Sequence, residues 1–182
     1  MTNTNKPNWA IDPNHSEIQF KVKHLMISNV SGTFKKFSGT VNSQNDDFAD
    51  AQINFEIDTN SVDTNQPERD THLKSPLFLD TDKFPKIAFQ GHLQKTNNGH
   101  QLVGNLTLCA VTKSISMLVN FNGIGKGRFN DTRAGFELNG TINRKDFGLN
   151  FSLLTDTGSI VVGEEIKLHM DIQLLQQTAS PL

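Results

Sequence analysis

The sequence predicts an all-β fold, a single closed antiparallel barrel of about eight strands with one short helix in a crossover loop. Three observations carry that expectation. Apolar and polar residues alternate with period 2 along most of the 182 residues, the pattern of strands with one buried and one wet face. The alternating segments are long, which favours a barrel over a two-sheet sandwich. The aromatic residues are thirteen Phe, one Trp and no Tyr, and rings without a polar group belong in a core or an apolar ligand cavity.

In the first segment Ile18, Phe20, Val22 and His24 share one face, and Glu17, Gln19, Lys21 and Lys23 share the other. The second, Val30 to Val41, carries Phe34 and Phe37, whose odd spacing breaks the alternation; Gly32 and Gly39 mark a bulge or bend. The third sets Ala51, Ile53, Phe55 and Ile57 against Gln52, Asn54, Glu56 and Asp58. Ile87, Phe89 and Leu93 then lead through Thr96-Asn97-Asn98-Gly99, a strong hairpin signal, to Leu102, Leu106 and Leu108. Ile115, Met117, Val119 and Phe121 follow, then Phe136, Leu138 and Ile142, and last Ile166, Leu168, Met170, Ile172 and Leu174. The run Gly123-Ile124-Gly125-Lys126-Gly127 reads as a loop joining two of these strands.

Two stretches depart from the pattern. Ser61 to Pro85 is charged early and apolar late, and it predicts a helix from Pro67 to Lys74, with proline in its first turn, before an irregular crossover. Gly148 to Gly163 is an irregular insert carrying Leu149, Phe151, Leu153, Leu154, Ile160, Val161 and Val162, as a lid, cavity mouth or partner contact would.

One domain is expected at this length, with a core at about residues 9–175. Net charge is −2, with Lys and Arg scattered, so there is no basic face to follow phosphates and nucleic acid is not an expected partner. The single Cys109 excludes an intrachain disulfide. No stretch approaches the ~18–20 apolar residues of a membrane-spanning helix. Met1 to Asn8 is polar, so the chain as written is expected in the cytoplasm, or in the periplasm if a leader has been removed.

Catalytic signatures are missing. There is no Gly-x-Ser-x-Gly elbow, and Cys109 ends an apolar strand with no histidine near it in sequence, as a structural thiol would. The Gly123 to Gly127 run lacks the Lys-Ser/Thr ending of a phosphate loop. Six histidines show no ligand spacing, so no metal or cofactor is expected.

His24 lies on the inward face, either as a rim histidine satisfied by backbone or as an anchor for a ligand head group at the mouth of an apolar cavity. Arg69, Asp70, His72 and Lys74 form either a solvated helix face with an Arg–carboxylate pair, or a head-group contact. Arg144 and Asp146 are expected to pair with each other or with loop backbone. The candidate ligand-binding set is therefore Phe20, Val22, His24, Ile53, Phe55, Arg69, His72, Phe89, Leu106, Leu108, Val119, Phe121, Phe136, Ile142, Leu168 and Met170.

The motifs together resemble a known family. Trp9-Ala10-Ile11-Asp12-Pro13-Asn14-His15-Ser16, Val22-Lys23-His24-Leu25 and Gly32-Thr33-Phe34 are similar to the opening of the YceI family. Ser61-Val62-Asp63-Thr64 and Arg69-Asp70-Thr71-His72-Leu73-Lys74-Ser75 resemble its middle signature. Gly104-Asn105-Leu106-Thr107-Leu108, Val111-Thr112-Lys113 and Ile142-Asn143-Arg144-Lys145-Asp146-Phe147-Gly148 resemble its later ones. The ordered set spans Trp9 to Leu175. It implies a lipocalin-like barrel that binds a polyisoprenoid, quinone-like or fatty-chain lipid in a long apolar tunnel. The chain departs at Cys109-Ala110, where the family carries His-Gly, and its Gly148 to Gly163 insert is long.

A lipid-binding protein is the expected function, for carriage, storage or sensing. Two rivals stand beside it. One is an enzyme acting on a prenyl or quinone substrate, with His24, His72 or Asp70 as acid or base. The other is a barrel filled by its own side chains, a structural or interaction module such as a homodimer.

Overall fold

The computed structural model describes residues 8–151 and 161–178. Among these, eleven strands form one antiparallel sheet: β1 (Trp9–Ile11), β2 (Glu17–His24), β3 (Ser28–Phe34), β4 (Phe37–Asn42), β5 (Gln52–Asp58), β6 (Val62–Asp63), β7 (Lys86–Thr96), β8 (Gly99–Leu108), β9 (Val111–Lys126), β10 (Thr132–Asn143) and β11 (Val162–Gln176). Helix α1 (Pro67–Lys74) lies between β6 and β7, at the bounds the sequence predicts. Eight strands close a ring in the order β1-β4-β5-β7-β8-β9-β10-β11, because β1 pairs with both β4 and β11.

Closure rests on three residues. Trp9, Ala10 and Ile11 pair with Gln176, Leu175 and Leu174, while Trp9 and Ala10 also face Val41 and Thr40. A 3-10 turn at Pro13–His15 then ends β1, with Asp12 as its N-cap accepting from the Asn14 amide. The chain resumes as β2, still on β11 but carrying β3 and β6 out of the ring. Backbone groups at this break are satisfied by β11: the Asp12 amide donates to Gln173 O at 2.9 Å, and the Gln173 amide donates to Ser16 Oγ at 2.9 Å.

The eight ring strands are therefore not the eight alternating segments read from the sequence. The first segment is β2, which lies outside the ring, and a strand of only three residues closes it. The second segment is two strands, β3 and β4, broken at Lys35 and Lys36. The glycine run expected as a loop mostly continues β9 as far as Lys126. Gly123 pairs with Gly135 and Phe121 with Phe136, so Asn122 is the extra residue of a bulge. Glycine at 123 accepts the φ of 112° that this bulge imposes.

The alternation settles which faces turn inward. Phe89, Leu93, Leu102, Met117, Val119, Phe136, Leu138 and Leu174 form one buried cluster, and Ile18, Ile57, Ile87, Leu108, Ile142 and Phe147 form a second. Helix α1 has no buried residue and is tied down by polar contacts. Arg69 donates from Nε to Thr64 Oγ1 and from Nη2 to Thr64 O, both at 2.8 Å, while Thr64 donates through its amide and hydroxyl to Asp70 Oδ1 at 2.9 and 2.6 Å. The expected Arg–carboxylate pair is thus bridged by a threonine. Of the Gly148 to Gly163 insert, residues 152–160 lie outside the described residues.

Candidate ligand cavity

The barrel encloses a cavity of about 440 Å³, within the ~300–1,000 Å³ of small-molecule sites. The strands supply its wall through their inward residues, so the wall follows from the period-2 alternation. Phe20 and Val22 come from β2, Ile53 and Phe55 from β5, Phe89 from β7, Leu106 and Leu108 from β8, and Val119 from β9. Phe136 and Ile142 come from β10, and Leu168 and Met170 from β11; His24, Arg69 and His72 reach the wall as well.

Phe121 is the exception. It does not line the cavity, because its ring stacks on Phe136 at 4.9 Å and meets Phe48 at 5.4 Å. Phe48 occupies the space that Phe121 would otherwise face.

One end of the barrel is stoppered. The segment between β4 and β5 folds back and drives Phe48 into the barrel, where it is 1 % exposed and packs on Trp9, Phe121 and Phe136. Phe48 has a φ of 56°, a left-handed conformation that phenylalanine adopts only when packing outweighs the strain. The segment is pinned from both sides. Lys95 Nζ lies 3.1 Å from Asp47 Oδ2, His100 Nε2 lies 2.8 Å from Asp47 O, and Asn8 and Ser43 exchange two hydrogen bonds. The Ala49 amide and the Lys95 ammonium hold Asp47 below the usual carboxylate range. Sequence reasoning missed Phe48 because it stands alone in a polar stretch, with no periodicity to mark it.

The other end carries the polar groups. Among the described residues the polar wall residues are Gln19, Lys23, His24, Arg69, His72 and Arg144, with no Asp or Glu. All but Gln19 lie where β2 ends, on α1, or just after β10. His24 opens onto the cavity, and its ring meets no hydrogen-bond partner among the described residues.

Arg144 is buried at 3 % exposure and bonds to backbone, one of its two expected arrangements. Its guanidinium donates to Gly163 O at 2.9 Å, Leu149 O at 2.5 Å and Val162 O at 3.3 Å. Burial pulls its pKa down, and nearby Glu164 opposes that shift. Phe151 covers it at 4.2 Å, Phe78 packs on Phe151 at 4.0 Å, and His72 packs on Phe78 at 4.7 Å. This row of rings borders the mouth. Asp70 is absent from the wall, its carboxylate being engaged by Thr64.

Away from the cavity, Glu137, His169 and Asp171 bring possible metal-ligating atoms within 4.8 Å of one another. They alternate with Leu138, Leu168 and Met170 and so face outward, and His169 is already bonded to Asn139 and Asp171.

A cavity walled by inward-alternating apolar residues, stoppered at one end and polar at the other, fits the expectation drawn from the motifs. The model of the YceI-like domain matches residues 9–174. The chain belongs to the YceI family. A UPF0312 protein of Staphylococcus epidermidis is 38% identical over 162 residues, covering 88% of this YceI chain and 93% of that protein. A YceI protein of Campylobacter jejuni, known from its crystal structure, is 32% identical with a TM-score of 0.72, covering 87% of this chain and 91% of that one. A polyisoprenoid-binding domain from Saccharophagus degradans shares the fold, with a TM-score of 0.69 at 15% identity, covering 94% of this chain and 100% of that domain.

Proposed function

We propose that this YceI protein binds a single long-chain amphiphile, a polyisoprenoid, quinone-like or fatty-chain lipid, with its tail in the barrel and its head at the mouth. The observation that carries the reading is the distribution of polarity along the 440 Å³ cavity. Its depth is apolar from wall to stopper, and its cationic and imidazole groups gather at one end. A tail of ~10 methylenes gains roughly 8 kcal/mol on leaving water, at ~0.8 kcal/mol each. Association costs of ~4–15 kcal/mol consume most of that, so useful affinity needs a longer tail or a head-group contact. With Lys23, Arg69 and Arg144 on the wall, and no carboxylate among its described residues, an anionic or carbonyl-bearing head suits the mouth. The S. degradans domain, named for polyisoprenoid binding, accords with the reading at the level of fold.

The test is native mass spectrometry of freshly purified protein, followed by organic extraction and identification of what is released. One lipid-sized adduct per chain, lost on extraction, is the expected result. Protein that carries no adduct and takes up none of an offered series of prenyl alcohols, quinones and fatty acids would overturn the reading.

A further inference from the structure

Docking on a membrane surface is the inference that the mouth of the barrel carries furthest. The hairpin between β2 and β3 ends in Leu25-Met26-Ile27, and all three side chains are exposed, Met26 at 55% and Ile27 at 82%. The Ile27 amide donates to His24 O at 3.1 Å, closing a tight turn whose central residues, Leu25 and Met26, have φ of 51° and 60°. Turns with two left-handed central residues favour Asn-Gly, and leucine and methionine are strained there. The Cys109-Ala110 turn has similar angles, but Cys109 is half-buried and its thiol lies 3.6 Å from Leu79 O, so packing accounts for it. Among the described residues no such packing covers the three residues at the β2–β3 tip. A strained turn that spends its side chains on water indicates a surface that meets something apolar.

The tip belongs to the cavity mouth. His24 and Lys23 on one side of it line the cavity, and the Leu25 amide donates to the carbonyl of Val161, another wall residue, at 2.8 Å. Leu77, 67% exposed, adjoins Phe78 on the same wall. Along the chain on either side of the tip the charge is of one sign, while across β2 the neighbouring β11 brings Glu164, which is paired with Lys145, and Glu165. Lys21 and Lys23 lie on β2, and no Asp or Glu occurs between Glu17 and Asp46, in a chain whose net charge is −2. Exposed apolar side chains flanked along the chain by lysines complement an anionic lipid surface.

We propose that Leu25, Met26 and Ile27 insert into the interface of an anionic bilayer, with Lys21 and Lys23 against its head groups, so that the cavity mouth opens onto the membrane from which its lipid is drawn. This rests on the lipid-binding reading and adds the surface with which the protein exchanges its cargo.

The experiment is flotation of the full-length protein with vesicles of phosphatidylcholine and phosphatidylglycerol at 7:3, beside vesicles of phosphatidylcholine alone. Native mass spectra of the same samples report the cargo. The test variant is M26N/I27D, because asparagine accepts the left-handed turn and neither side chain is part of the core. L118D, at an exposed leucine on β9, is the control. Wild type and L118D are expected to float with the anionic vesicles. M26N/I27D should float at least ~10-fold less while keeping its lipid adduct, and K21Q/K23Q should fall severalfold.

Wild-type protein that carries lipid yet does not float overturns the docking proposal and leaves the cavity reading standing. Flotation that M26N/I27D and L118D reduce equally also overturns it. So does a concentration-dependent dimer, seen by light scattering, that M26N/I27D dissociates without any vesicle binding, because the occupant of the tip is then a second copy. Protein with neither adduct nor flotation defeats both readings.

Discussion

Phe48 and Phe136 meet edge to face, 5.0 Å apart with an interplanar angle of 84°, at the closed end of the barrel. One ring comes from a strand and the other from the segment after β4, and Trp9 of the closing strand packs on the second at 5.2 Å. The contact therefore joins ring closure to the stopper. Truncation by Phe48→Ala leaves a void that the pinned segment cannot fill, and should cost about 3–5 kcal/mol. Urea unfolding followed by Trp9 fluorescence measures it directly; a loss under ~1 kcal/mol would show the stopper to be dispensable.

The close approach of β7 and β8 depends on a glycine pair. Gly91 faces Gly104, and a Cβ on Gly104 would stand 2.3 Å from Gln90 O, 2.5 Å from Gly91 Cα and 2.7 Å from the ring of Phe89. Two of these neighbours are backbone and cannot move aside without parting the strands. Gly104→Ala is expected to destabilise the protein by ~1–3 kcal/mol or more. Gly125→Ala, where a Cβ meets nothing within 4 Å, should be nearly neutral by the same denaturation assay.

Filling the cavity separates binding from folding. Met170 and Leu168 are partly buried and line the wall, so Met170→Trp projects an indole into space that a lipid tail would take. Occupancy by added lipid should fall at least ~10-fold while the unfolding free energy changes by less than ~1.5 kcal/mol. Unchanged uptake, read by native mass spectrometry against wild type, would place the ligand elsewhere.

Acid should loosen the break between β1 and β2. Burial pushes Asp12 up, but hydrogen bonds from Arg133 at 2.6 Å, from the Asn14 amide at 3.0 Å and with His15 at 2.8 Å outweigh it and leave its pKa lowered. A carboxylate with a depressed folded pKa contributes stability that is present above its unfolded value of 3.8 and lost as pH falls through the folded one. Asp12→Asn keeps an N-cap but removes the charge. Acid titration of circular dichroism should show wild type losing stability below about pH 4. The variant, already weaker at neutral pH, should lose less over the same range.

Cys109 should be a slow thiol. Burial, with Asp80 adding to it, pushes its pKa above the ordinary value, and its Sγ lies 3.6 Å from Leu79 O. Labelling by a disulfide reagent at neutral pH should run well below the rate of the unfolded chain, since the thiolate is the reactive form. Equal rates in the two states would contradict the packing of that turn.

The family, the barrel, helix α1 and the apolar wall were legible because each is written in local order. Alternation at residues 18–24, 51–57, 102–108 and 166–174 fixes which side chains share a face, whatever the strands later pair with. Only the tertiary structure decided how the ring closes, because a three-residue β1 has too little pattern to be told from loop and gains its place by pairing with β4 and β11 at once. It also decided the stopper, since Phe48 in a polar stretch is drawn inward by Trp9, Phe121 and Phe136, partners distant in sequence. Phe121, on the correct face by alternation, lost its place on the wall to that same ring. Arg144 clamps carbonyls 5, 18 and 19 residues away, contacts that no spacing rule encodes. Periodicity assigns faces, while closure, plugging and clamping depend on which distant groups arrive at the same point, and that is settled by packing.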